Sequence, residues 1–270
     1  MSDSLFPALN EDWEPTRATL HQYANAVGVI PRAHAVAHPK WWHISLKVRS
    51  NGLTTDTMGL PGGGTFHIRM DLRSHEVVID TSTGVTRSIS MTEGLTGTEF
   101  GDKLIATVAE LGLEGDYVRE KFESDDAREY DPASARTFFD ALVNIDYVLE
   151  QHRSTLEGDI GPLQVWPHGF DLAFEWMGTR TETYDGQVLP SQLNLGWYPG
   201  GEAYFYSNPW PFEKDELLAT ELPHGAVWHT EGWEGSMMLY SDLVGDPDAG
   251  QKLLDYARAV YDVAAKTLTA

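Results

Sequence analysis

The chain has 270 residues, and its 19 Lys and Arg against 41 Asp and Glu give a formal charge of −22. That charge repels phosphate backbones and anionic lipid, so neither nucleic acid nor membrane is expected as a partner. Cysteine is absent, which excludes disulfides, iron–sulfur clusters, thiolate zinc sites and a cysteine nucleophile. The opening MSDSLFPALNEDWEP carries acid where a signal peptide needs a basic region, and no apolar run approaches the ~18 residues of a membrane span. The expectation is a soluble, cytoplasmic chain with a core of its own.

Trp13, Leu20, Tyr23 and Val27 recur at helical spacing, with Asp12 as cap, Pro15 in the first turn and Gly28 and Pro31 as stops. Trp42, Ile44, Leu46 and Val48 then alternate with Trp41, His43, Ser45 and Lys47, which predicts a half-buried strand with Trp42 on the core face and Trp41 opposite. Pro61 to Thr65 (PGGGT) reads as a turn, since it lacks the lysine and following helix of a phosphate loop. Three β segments, Thr65 to Leu72, Glu76 to Thr81 and Arg87 to Met91, follow at hairpin spacing and predict an antiparallel meander. Phe100, Leu104, Val108 and Leu111 mark a helix ended by Gly112, and the acidic stretch through Asp125 and Asp126 reads as a solvated loop.

Asp131-Pro132 opens a helix through Phe138, Leu142, Ile145 and Leu149. Leu163 to Met177, Gln192 to Tyr198 and Glu202 to Ser207 read as strands, with shorter ones near Val227 and Met238. Asp246-Pro247 repeats the cap before a closing amphipathic helix through Leu253, Ala257, Val260, Ala264 and Leu268. Runs of strands separated from helices predict an α+β fold of antiparallel sheet packed by amphipathic helices. It is organised as a single domain over 1–270, or as two similar halves, 1–113 and 131–270, joined by the acidic loop.

The blocks WEPTRATLH from Trp13, Trp41-Trp42-His43, Gly52-Leu53-Thr54-Thr55, Asp71 with His75, WPHGFDLA from Trp166 and EAYFYSNPW from Glu202 resemble those of a bacterial family known only as a domain of unknown function. The resemblance covers nearly the whole chain. Where family members often read S-P-G-D, this chain has Tyr198-Pro199-Gly200-Gly201 and so lacks that acid. The resemblance implies an architecture and a set of positions but no reaction.

The elbow, zincin, Walker and dinucleotide motifs are all missing. His43, His168 and Asp171 are the candidates for acid/base chemistry, since imidazole and carboxylate exchange protons near neutral pH. Asp171 also reads as a structural acceptor for backbone N–H groups freed where Pro167 and Gly169 interrupt the strand. Should His21, His43, His168 and Asp171 converge, four N and O ligands would suit a divalent metal. No cofactor is otherwise expected. Nine tryptophans favour an aromatic-lined ligand pocket, with Trp41, Trp166, Tyr204 and Trp210 as lining residues, because an indole keeps an apolar face and a polar edge. The same rings would also serve simply as core. Three functions follow: a small-molecule-binding protein, which includes an enzyme; a structural or interaction protein whose aromatic strands form an oligomer interface; and a metal-dependent hydrolase.

Overall fold

The computed structural model describes residues 4–270, which divide into two compact units. A meander unit holds residues 9–143 and 164–170, and a long-strand unit holds residues 144–163 and 171–270 with the segment ending at Ala8. Both sheets are antiparallel, and with the helices they make the fold α+β, as predicted.

In the meander unit, α1 (Glu14–His34) precedes β1 (Lys47–Arg49), β2 (Gly52–Thr54), β3 (Met58–Gly59), β4 (Thr65–Asp71), β5 (Glu76–Thr81) and β6 (Thr86–Ser90). The sheet order is β1-β2-β4-β5-β6, with β3 on β4, so the predicted meander is present and PGGGT is the turn between β3 and β4. Next comes α2 (Gly97–Ala109), started by a capping box in which Thr96 and Glu99 satisfy each other's backbone N–H groups. The acidic stretch holds only a short 3₁₀ turn, Arg119–Lys121, and is anchored by the fully buried Phe122. Asp131 caps α3 (Pro132–Arg153) as predicted, accepting from the Ser134 N–H at 2.8 Å.

Two local predictions for this unit fail for identifiable reasons. Helix α1 does not stop at Gly28 or Pro31 but runs to His34, and its cap position is Trp13, with no capping bond from Asp12. Every residue from Ala26 to Pro31 is buried, and burial outweighs the helix-interior penalty of one glycine and one proline. Gly28 also makes room, since a Cβ there would lie 3.0 Å from the Pro167 ring. The predicted strand from Trp42 is instead a 3₁₀ turn, Trp42–Ile44, entered through Trp41 in the left-handed region at φ 60°. That turn destroys the period of two. His43 is buried while Trp42 is only half-buried, the reverse of the alternation.

Beyond α3, β7 (Asp159–Ile160) belongs to the long-strand unit, and β8 (Gln164–Trp166) returns to the meander unit, where Val165 bridges Leu46. The long-strand unit continues with β9 (Asp171–Tyr184), β10 (Gln187–Tyr198), β11 (Tyr204–Trp210), a single helical turn α4 (Lys214–Leu217), β12 (Val227–His229), β13 (Gly235–Leu239) and α5 (Ala249–Leu268). Its sheet runs β12-β13-β11-β10-β9-β7. The strand predicted from Leu163 to Met177 is therefore two strands, separated by a turn at 167–170 in which Phe170 takes φ 56°. Helix α5 covers the face carrying Phe205, Ser207 and Ser236, where the Tyr256 hydroxyl meets Ser236 Oγ at 2.7 Å and Ser236 meets Ser207 at 2.6 Å. Among the described residues no helix is long and apolar enough to cross a membrane.

Candidate functional site

The meander unit gathers its polar chemistry on the segment from His38 to Lys47. Trp41 is 48% exposed. The Arg32 guanidinium lies 4.7 Å from its ring centre, and the His43 ring stacks at 5.5 Å and 24°. His43 is only 7% exposed, and its Nδ1 accepts the His38 N–H at 3.0 Å. That bond fixes the neutral tautomer with the proton on Nε2. Burial lowers the His43 pKa, and His38 and Arg32 lower it further against an opposing pull from Asp56. The ring is thus a neutral N–H donor near pH 7.

The same segment carries a buried cation. Lys47, 9% exposed, donates to Gln164 Oε1 at 2.7 Å, Ser45 Oγ at 2.9 Å and the Trp42 carbonyl at 3.3 Å. Asp56 stands 3.6 Å off on its solvent side. Burial lowers the Lys47 pKa and Asp56 partly restores it. The Ser45–Lys47 distance suits a nucleophile and base, yet Ser45 is fully buried and its single proton is directed at the Trp42 carbonyl or Gln164 Oε1. The arrangement therefore works as a clamp that joins the 41–47 segment to β8. Gln164 Nε2 is buried without a hydrogen-bond partner among the described residues, so the clamp has no spare capacity for a further lost partner. Lys47→Met should lower stability by about 1–3 kcal/mol, because the Gln164, Ser45 and Trp42 oxygens lose a shared donor. Urea unfolding checks this, and an unchanged midpoint would remove the clamp from the account.

His168, expected on the apolar strand face unless Pro167 and Gly169 bend the strand, is exposed in the turn that follows β8. Its carbonyl accepts from His21 Nε2 at 3.1 Å, and its ring meets the edge of Trp166. His21 in turn stacks on Phe170 at 5.7 Å, and Phe170 on Phe138 at 5.5 Å. Burial lowers the His21 pKa, opposed by its bond to the His168 carbonyl. This is packing geometry, in which His21 pins the turn. Among the described residues no three His, Asp or Glu side chains are gathered as a metal site requires.

In the long-strand unit, Asp171 takes the Tyr206 hydroxyl. The bond crosses β10 at Gly196, the residue that pairs with Ala173 on one side and Tyr206 on the other. Burial raises the Tyr206 pKa well above the usual phenol value, and the Asp171 charge raises it further. The phenol is therefore the donor and the carboxylate the acceptor. Tyr204 stands on the same face among Tyr198, Tyr206 and Trp233, with ring centres 5.5 to 6.2 Å apart. Trp210 lies at the far end of β11 with its ring against Tyr184.

Two open depressions, of roughly 530 and 560 Å³, hold none of the predicted site residues. The first is lined in part by Asp12, Glu129 and Asp131, and the second by the Arg180–Glu213 ion pair.

Fold and side chains together define an α+β protein with two antiparallel sheets and clustered aromatic rings. The chain belongs to the Family of unknown function (DUF5996), whose profile matches residues 6–269. No curated protein and no solved structure matches the chain.

Arg32, His38, Ser45, Lys47, Gln164 and Tyr206 were not among the residues that the sequence singled out. One signal could have found Arg32, His38 and Lys47. Residues 15–55 contain no Asp or Glu but hold five of the 19 Lys and Arg and four of the ten His. In a chain of charge −22 that stretch is a local inversion of sign.

Proposed function

We propose that this is a small-molecule-binding protein whose ligand packs against the half-exposed ring of Trp41. One observation carries the reading. A tryptophan left half in water, on a backbone with positive φ, forgoes burial and bears local strain of about 1–3 kcal/mol. Arg32 and His43 nevertheless hold its ring in place, and the Lys47 clamp fixes the turn beneath it. Backbone strain of this kind clusters at ligand clamps and other functional sites, and tryptophan is enriched where one end of the ring is apolar and the other wet.

The test is a thermal-shift screen of metabolites on wild type and Trp41→Ala. Trp41→Ala alone should change stability by less than about 1 kcal/mol, as surface substitutions do. Compounds that raise the wild-type midpoint should lose most of that shift in the variant. If every hit shifts both proteins equally, the platform is wrong. If Trp41→Ala instead turns an oligomer into a monomer during size measurement, the interface reading replaces this one.

A further inference from the structure

We infer that the ligand class of the Trp41 platform is a planar ring bearing an anionic carboxylate or phosphate group, an inference that rests on the small-molecule reading above. The ring would pack against the exposed part of the indole. Its anion would be met by the Arg32 guanidinium and by the Nε2–H of His43, both already set around that indole.

Three independent observations converge on that charge. The first is the acid-free stretch from 15 to 55, which supplies the platform and both of its donors. A small anion at the surface feels charges within a Debye length, on the order of 8–10 Å, so the local sign matters more than the total of −22. The second is the donor inventory. Guanidinium has only N–H donors, and His43 is fixed as an Nε2–H donor by the bond at its Nδ1. Such a rim satisfies acceptors and leaves a cationic ligand unpaired. The third is the disposition of Asp56, the first acid after this stretch. It stands 3.6 Å from Lys47 Nζ, and its pull on His43 is smaller than that of Arg32. The aromatic requirement comes separately, from the 48% exposure of Trp41 and its clasped geometry.

Carboxylate and phosphate share this chemistry, and the experiment separates them. Calorimetric titration at low salt would compare indole-3-acetate with indole and tryptamine, and adenosine monophosphate with adenosine. Inorganic phosphate and acetate serve as ringless probes. At least one anionic ring should bind roughly tenfold more tightly than its neutral partner, the size of one charge-assisted hydrogen bond. Arg32→Gln should erase that ratio while leaving the neutral ring's affinity in place, and Trp41→Ala should weaken both rings. If neutral or cationic rings bind as well as anionic ones, or the preference survives Arg32→Gln, the charge inference falls and the small-molecule reading stands. If no ring probe binds, or ringless anions bind as tightly as ringed ones, the platform falls too.

Discussion

Acidification from about pH 7.5 to about pH 4 should cost the wild-type protein about 3 kcal/mol more than it costs a His152→Leu variant. His152 lies on α3 in the long-strand unit, 2% exposed, with its ring against Phe174 and Tyr261. Burial pushes its imidazole down to about 4 from an ordinary 6.5, Arg258 adds to the shift, and Asp262 opposes it. Its Nδ1 has no hydrogen-bond partner among the described residues. The sign follows from proton counting. Between pH 6.5 and 4 the unfolded chain binds a proton at this site that the folded chain refuses, so stability is full above 6.5 and falls as the pH drops toward 4. Leucine fills a similar volume and does not titrate. Denaturation midpoints across that range should therefore diverge between the two proteins, whereas parallel curves would show that His152 is not the buried neutral group described.

Gly196→Ala should be among the most damaging single substitutions in the long-strand unit, costing about 3 kcal/mol, at the top of the range for an overpacked interior. A Cβ at this position would lie 2.5 Å from the Leu172 carbonyl oxygen, 2.7 Å from the Ala173 Cβ and 3.0 Å from the Tyr206 ring. Two of those neighbours belong to β9, paired with β10 in this register, so neither can move aside without shifting the ladder. The Tyr206 ring crosses above the glycine to reach Asp171, and the methyl group would push it away. Tyr206→Phe provides the control. Removing only the hydroxyl should cost about 1–3 kcal/mol, as for an interrupted charged hydrogen bond. Gly196→Ala should exceed it in chemical denaturation. Equal losses would mean that the glycine matters only through the Asp171–Tyr206 bond and not through the strand contact.

Local patterns in the sequence were sufficient for much of the architecture. The Asp131 cap and the meander from Thr65 to Ser90 are decided by residues close in the chain and appear where capping and period place them. The closing helix keeps its predicted period but starts at Ala249, with Asp248 and not Asp246 at its cap position and no side-chain capping bond. The two broken strands show the limit of that logic. The alternation of Trp41 to Val48 is real as composition, but a left-handed residue at Trp41 turns the chain before the alternation can be used. Phe170 does the same between β8 and β9, at the bend that Pro167 and Gly169 allowed for, and His168 lies in water there. Neither residue is a glycine, so neither position advertised a positive φ.

The candidate site divides along the same line. Trp41, His43 and Asp171 were identifiable from their chemistry alone, because an imidazole, a carboxylate and paired indoles are informative wherever they lie. Lys47 was not, since a lysine on a short strand is ordinarily solvated. Its burial becomes apparent only once the fold brings Gln164, 117 residues away in the chain, within 2.7 Å of its ammonium. Tyr206 likewise acquires its meaning from Asp171, 35 residues earlier. The sequence by itself determined composition, charge, the long helices, the meander and the family. Tertiary structure alone decided which polar groups lose water and whom they meet, because desolvation and long-range pairing depend on neighbours distant in sequence.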